Sequence, residues 1–247
     1  MDMEVLRTKN LVVGYKDKAI LPPINVSLNE GNLIALIGPN GAGKSTLFKT
    51  LTAHIKAVSG EIELFGKELH SYSAKEKATI IGLVLTERPD DMFLKVYDVV
   101  ASGRCPYTNF FGKIREEDET IIKESLEIVG INHLSDRYFS ALSDGERQKV
   151  MIAKTIAQNT PIIFMDEPTA FIDYPSKIEL FNLMKKLCKE QNKTIVFSSH
   201  DLELLLRYTD DIWIVSKGKE LISSNKDDLL DKGIVREYFN LKEDIKI

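Results

Sequence analysis

Gly38-Pro39-Asn40-Gly41-Ala42-Gly43-Lys44-Ser45-Thr46 satisfies the pattern G-x-x-x-x-G-K-[ST] at every fixed position. Its flanks supply the required context. Leu33-Ile34-Ala35-Leu36-Ile37 is a short apolar run, read as a buried parallel strand. Residues 45–53 contain neither Pro nor Gly and predict a helix. Glycine has no Cβ, so the backbone can bend closely around a phosphate chain. The N–H groups of such a turn, backed by a helix N-terminus, form an anion cradle. Lys44 is placed to reach the β- and γ-phosphates, the Ser45 hydroxyl to hold Mg²⁺, and Thr46 to bond the α-phosphate. The alternative is a glycine-rich turn that binds nothing. A strand before it and a helix after it favour a nucleotide site.

The 247 residues are 43% hydrophobic and 28% charged, the composition of a globular chain with a full-sized core. The net charge of −4 argues against a nucleic-acid surface as the main business. Met1-Asp2-Met3-Glu4 is acidic and lacks an apolar signal-peptide region. No apolar run approaches the roughly 18–20 residues that span a bilayer. The two cysteines, Cys105 and Cys188, make no disulfide framework and point to the cytosol. Both are expected to be small, buried or half-buried hydrophobes.

Residues 4–28 alternate apolar and polar positions, broken at Gly14 and at Lys16-Asp17-Lys18, which predicts antiparallel strands. A strand over 61–65 ends at Gly66 in a hairpin. Ser73 with Glu76 three residues on forms a capping box, and 80–85 reads as another buried strand. From 86 to 158 strand-like runs vanish. Helices are expected over 96–103, 116–129 (stopped by Gly130) and 146–157. Strands then return at 162–165, 194–198 and 212–215, separated by helices over 175–191 and 202–207. Such alternation implies a parallel sheet. Lys217-Gly218-Lys219 is a hairpin turn, and the final residues read as a short amphipathic tail.

Ile162-Ile163-Phe164-Met165-Asp166-Glu167 is an apolar strand ending in two acids. Ligands of open α/β sheets bind beyond the carboxyl ends of the strands. Asp166 is assigned to Mg²⁺, and Glu167 to polarising a water for in-line attack on the γ-phosphate. His200 follows the strand 194–198 and is a candidate to bond the γ-phosphate and orient that water. His54, His70 and His133 are read as structural or surface residues.

Leu142-Ser143-Asp144-Gly145-Glu146-Arg147-Gln148 resembles the signature L-S-G-G-Q of ATP-binding cassette ATPases. It lies between the phosphate loop and the acidic strand, as that family requires. Pro168-Thr169-Ala170-Phe171-Ile172-Asp173 resembles the family's P-T-x-x-L-D stretch with its D-loop, and Ser198-Ser199-His200-Asp201 its switch-histidine segment. Tyr15 stands where the family places an aromatic residue under the adenine. The resemblance covers essentially the whole chain. It implies an α/β P-loop NTPase of the cassette type, with a mixed-sheet core, an N-terminal antiparallel part and a helical insert. The whole would be one nucleotide-binding domain, with its core in 1–85 and 159–247 and its insert in 86–158. It also implies a head-to-tail dimer sandwiching two ATP molecules, with Ser143, Gly145 and Asp173 of one copy closing on the phosphate loop of the other. Ser143 offers a hydroxyl, Gly145 a bare N–H, and the following helix its positive end. Ser143 or Asp144 would serve equally as the N-cap of that helix, and both roles are compatible.

Two departures stand out. Ser-Asp-Gly-Glu replaces the usual Ser-Gly-Gly-Gln, adding negative charge near a phosphate site. The family's glutamine after the strand over 80–85 is missing, and register puts Thr86 there as the Mg²⁺-contacting oxygen, with Glu87 next. Cassettes of this kind sit under an integral-membrane permease at the cytoplasmic face of the membrane. The permease's short helix would enter a groove lined by residues 86–95, with Met92, Phe93 and Leu94 as apolar candidates. Ser102-Gly103-Arg104-Cys105-Pro106-Tyr107 resembles the G-R-x-P-(H/Y) segment of importers for ferric siderophores, haem and cobalamin. In those importers an extracytoplasmic binding protein delivers the substrate through the permease. The competing expectations are an exporter or lipid-moving ATPase, and a cassette acting in DNA repair or translation. The last lacks the long insertions or second cassette it would need.

Overall fold

The computed structural model describes residues 3–16, 18–86, 93–109 and 112–231. Glu87, Met92 and the expected C-terminal tail lie outside them. The strands are β1 Glu4–Val12, β2 Gly14–Tyr15, β3 Lys18–Ala19, β4 Ser27–Asn29 and β5 Leu33–Ile37. Helix α1, Lys44–Leu51, is followed by β6 Ser59–Leu64, β7 Lys67–Glu68, α2 Ala74–Ile80 and β8 Ile81–Val84. Then come α3 Val96–Ala101, α4 Glu116–Ile128 and α5 Asp144–Ala157. The chain continues with β9 Ile162–Met165, α6 Tyr174–Gln191, β10 Thr194–Ser198, α7 Leu202–Tyr208 and β11 Asp211–Ile214. The last described elements are β12 Ile222–Asn225 and α8 Lys226–Asp231.

The main sheet has the order β12-β11-β5-β10-β9-β8. Its five strands from β11 to β8 pair in parallel, and β12 adds an antiparallel edge. A smaller antiparallel sheet, β4-β1-β6-β7, comes from the N-terminal part. The expected mixed-sheet core and antiparallel N-terminal part are both present. The sheet is buried on both faces, which is why β5, β9 and β10 read as unbroken apolar runs rather than alternating ones. The period of two is still there in three dimensions. Ile34, Leu36, Phe164, Val196 and Trp213 pack with Phe48 of α1 toward the antiparallel sheet. Leu33, Ala35, Ile37, Ile163, Met165, Ile195 and Phe197 pack on the other face against α6 and α7. Phe48–Phe164 and Phe181–Phe197 ring pairs, each 5.3 Å between centroids, tie helices to the two faces.

The helices α3, α4 and α5 share a separate apolar core of Val96, Val99, Val100, Ile122, Leu126, Phe139 and Val150. Local chemistry sets the ends. Ser73 and Glu76 form the expected capping box of α2, and Gly130, at φ 75°, terminates the segment after α4. Most boundaries fall within two residues of expectation, and two of the differences have a local cause. Ile80 closes α2, so β8 begins one residue later, and α5 begins at Asp144 because Ser143 is its N-cap.

Cys188 is buried, as expected, and burial pushes its thiol up to about 12. Cys105 is exposed, contrary to expectation. It sits in the 3₁₀ turn Ser102–Tyr107, whose inward side is already filled by Gly103 and Arg104. Among the described residues no helix is long and apolar enough to cross a membrane.

Candidate functional site

The residues that carry chemistry collect at the carboxyl ends of β5, β9 and β10. The loop after β5 turns through Gly41 (φ 75°) and Gly43 (φ 103°), conformations that favour glycine. Gly43 is held further, because a Cβ there would lie 2.9 Å from the Ile20 side chain. A cavity of about 210 Å³ opens over the loop, lined by Ile20, Asn40, Gly41, Gly43, Lys44, Ser45, Thr46 and Glu167. Ala42 is buried beneath it. The Lys44 ammonium donates to the carbonyls of Gly38 (2.7 Å) and Pro39 (3.4 Å). Burial lowers its pKa, while the charges of Glu167 and Asp166 oppose that shift. The Ser45 and Thr46 hydroxyls make no hydrogen bond within the described residues.

Asp166 and Glu167 are locked by a residue that sequence reasoning passed over. The Ser198 hydroxyl donates to Asp166 Oδ1 at 2.7 Å and accepts the Glu167 N–H at 2.8 Å. In sequence it stands in the switch-histidine segment at the end of a buried strand, with nothing to mark it as a partner of the two acids. Glu167 sits at φ 48°, an uncommon conformation for a non-glycine residue, and the Ser198 bond holds it there. His200 Nε2 lies 3.1 Å from Glu167 Oε1. The Thr86 hydroxyl donates to the Asp166 carbonyl at 3.0 Å, so it abuts the acidic pair but does not line the phosphate-loop cavity. Tyr15 is half exposed on the β2–β3 hairpin and does not line that cavity either.

The donor set fits a magnesium nucleotide. Lys44 and the bent loop match anionic oxygens, and an unspent Ser45 hydroxyl and the carboxylate of Asp166 are oxygen donors that match a hard cation. Among the described residues no group of three or more His, Cys, Asp or Glu forms a metal cluster. Mg²⁺ takes one or two protein ligands together with phosphate oxygens and water, so it requires no such cluster.

Ser143, Gly145 and Asp173 line a second cavity, of about 450 Å³, with Asp144, Glu146, Lys149, Phe171, Ile172 and Ser176. No residue lines both cavities. A Cβ at Gly145 would come within 2.9 Å of the Phe171 carbonyl, so this glycine lets α5 pack on the segment before α6 within one chain. Ser143 caps α5 in a Ser-x-x-Glu box with Glu146. Of the two expected N-cap candidates, Ser143 takes the position and Asp144 opens the helix. Asp144 is exposed and 4.0 Å from Arg147, directed along its own helix.

The segment resembling G-R-x-P-(H/Y) has a structural task. Buried Arg104 donates to Asp118 Oδ1 (2.8 Å) and to the Ala157 carbonyl (2.9 Å), with its guanidinium 4.0 Å over the Tyr107 ring. The Tyr107 hydroxyl donates to the Gln158 carbonyl at 2.9 Å. Gly103 is required because a Cβ would run into the Lys154 carbonyl. Burial pushes the Asp118 carboxyl up. The hydrogen bonds from Arg104 and the Arg115 N–H, with the charges of both arginines, outweigh burial and hold it below the aspartate range. At the other edge of the helical part, Phe93 is 80% and Leu94 46% exposed.

A model described as ABC transporter matches residues 21–170. An uncharacterised ABC transporter ATP-binding protein of Methanocaldococcus jannaschii is 42% identical over 238 residues, covering 96% of this chain and 82% of that protein. An iron(3+)-hydroxamate import ATP-binding protein of Bacillus subtilis is 34% identical over 243 residues, 98% of this chain and 90% of that one. Among solved structures, a metal-chelate type ABC transporter in an inward-facing conformation superposes with a TM-score of 0.82 at 28% identity. The match covers 96% of this chain and 90% of that one. A dimeric ATP-binding cassette in a post-hydrolysis state with ADP and Pi gives 0.79 at 25% identity, covering 90% and 98%.

Proposed function

The chain belongs to the ABC transporter family as an ATP-binding, ATP-hydrolysing cassette, and from that premise we propose that it powers the import of a metal chelate (a ferric siderophore, haem or cobalamin). In this reading residues 1–85 and 159–247 form the ATPase core and 86–158 the insert. The observation that carries the shared-site part is the separation of the two cavities. One holds the phosphate loop with Glu167, the other Ser143, Gly145 and Asp173, and no residue lines both. A second copy, docked head to tail, brings the two together over ATP. The substrate class rests on the 34% identity to an iron(3+)-hydroxamate import protein over nearly the full length.

Lys44 leaves the carbonyls of Gly38 and Pro39 for the more strongly negative phosphates, an exchange of neutral for charged acceptors. Loop N–H groups from Asn40 to Thr46 cradle the phosphates, and Tyr15 stacks on the adenine. Ser45 and Asp166 hold Mg²⁺, which neutralises phosphate charge when bound. Glu167 accepts a proton from the attacking water as its oxygen bonds the γ-phosphorus. The bond to the β-phosphate oxygen breaks, leaving ADP and phosphate. His200, 3.1 Å from Glu167, orients that carboxylate and the water. Thr86, beside Asp166, supplies the oxygen of the missing glutamine, with Glu87 as the alternative donor. ATPase assays of Thr86→Ala and Glu87→Ala test this: turnover should fall in one of them, and wild-type rates in both would exclude the two.

The chain would act at the cytoplasmic face of the membrane, held there by permease subunits that receive substrate from an extracytoplasmic binding protein. No nucleic acid takes part. Exposed Phe93 and Leu94 suit a permease helix, since large apolar side chains this open mark contact surfaces. Affinity purification from the native membrane tests the proposal. A multi-span protein at fixed stoichiometry is the expected result, and a ribosome or DNA partner would overturn it.

A further inference from the structure

The Ser143 hydroxyl is already committed within its own chain. It donates to Glu146 Oε2 at 2.8 Å, and the Ser143 N–H donates to the same oxygen at 2.8 Å. The Glu146 N–H returns a longer bond of 3.4 Å to Ser143 Oγ. Arg137 Nη1 lies 3.6 Å from the other carboxylate oxygen. An ionised carboxylate only accepts hydrogen bonds, so Ser143 must turn its single hydroxyl proton toward Glu146. Phosphate oxygens are acceptors too. A γ-phosphate arriving at Ser143 therefore competes with Glu146 for one hydrogen. The hydrogen bonds from the Ser143 N–H and hydroxyl hold the Glu146 carboxyl below its ordinary range, which keeps it ionised.

The surrounding charge acts in the same direction. The cavity wall carries Asp144, Glu146 and Asp173 against one lysine, Lys149, whose ammonium is 3.2 Å from the Ser176 hydroxyl. A triphosphate presented by a second copy meets a wall of its own sign. We propose that Glu146 is a positioning residue that withholds the Ser143 hydroxyl from the γ-phosphate held by the other copy. It thereby raises the ATP concentration at which two copies close. This rests on the shared-site reading above and adds to it a set point residing in one side chain.

Glutamine at 146 preserves the cap, since Ser-x-x-Gln is also a capping box. Its amide offers one acceptor and one donor where glutamate offers two acceptors. Its oxygen can keep the Ser143 N–H of the cap, but as a neutral acceptor it holds the Ser143 hydroxyl proton less tightly than a carboxylate does, and one negative charge is gone. The test is ATP-dependent dimerisation of full-length protein by light scattering, in a Glu167→Gln background that slows hydrolysis. Adding Glu146→Gln should lower the half-saturating ATP concentration about three- to tenfold, the difference between a charge-assisted and a neutral hydrogen bond. Adding it to Ser143→Ala should give a clearly smaller gain, because only the charge changes and the hydroxyl it frees is absent. An unchanged or raised half-saturation with dimerisation intact overturns the inference alone, as does an equal gain in the Ser143→Ala background. Failure of the Glu167→Gln protein to dimerise with ATP overturns the shared-site reading and this inference with it.

Discussion

Glu167→Gln should retain ATP binding, lose turnover by about 10²–10⁴-fold and accumulate as an ATP-bound dimer. The substitution removes the proton acceptor while keeping the shape of the side chain and its contact with His200 Nε2 at 3.1 Å. The backbone at φ 48° is fixed by the Glu167 N–H to Ser198 Oγ, a bond the variant keeps. Loss of rate therefore reports chemistry and not misplacement. Single-turnover hydrolysis measured beside calorimetric ATP binding separates the two. Wild-type turnover would remove Glu167 from its role as base. The same variant bears on the shared site. Gly145 is a poor probe of it, because a Cβ there already collides with the Phe171 carbonyl in the same chain.

Arg104→Ala should destabilise the protein by about 3–5 kcal/mol, the cost of leaving one partner of a buried ion pair uncompensated. Asp118 Oδ1 and the Ala157 carbonyl lose the Arg104 donor, Asp118 keeps the Arg115 N–H but not its ion-pair partner, and Tyr107 loses the guanidinium stacked on it. Urea unfolding measures the loss, and a change under about 1 kcal/mol would show the pair to be dispensable. The pair also has a pH signature. The Asp118 carboxyl lies below its ordinary value in the folded chain. Its contribution is therefore complete above the unfolded-state value of about 3.9 and is lost as pH falls through the folded-state value. Below about pH 4 the urea midpoint should drop more steeply for the wild type than for Asp118→Asn. Equal slopes would take Asp118 out of the acid response. If Arg104 serves only to hold α3, α4 and α5 together, permease binding should fail in step with stability and not ahead of it.

The Ser102–Tyr107 segment shows how a resemblance and a cause can differ. Its Gly, Arg and Tyr match importers of metal chelates in sequence, yet their side chains face inward and lock helices. Their task in this chain is to pack the turn after α3 against α4 and the end of α5.

Local sequence alone determined the phosphate loop, the strand-and-helix alternation, the cap at Ser73 and the acids after β9. Each depends on a few neighbouring residues whose spacing fixes backbone geometry and periodicity directly. Only the tertiary structure could decide that Ser198 clamps Asp166 and Glu167, that Arg104 meets Asp118, and that the phosphate loop and Ser143 line different cavities. Those facts join residues from separate elements, and their distances are set by how sheet and helices pack. No spacing along the chain encodes them.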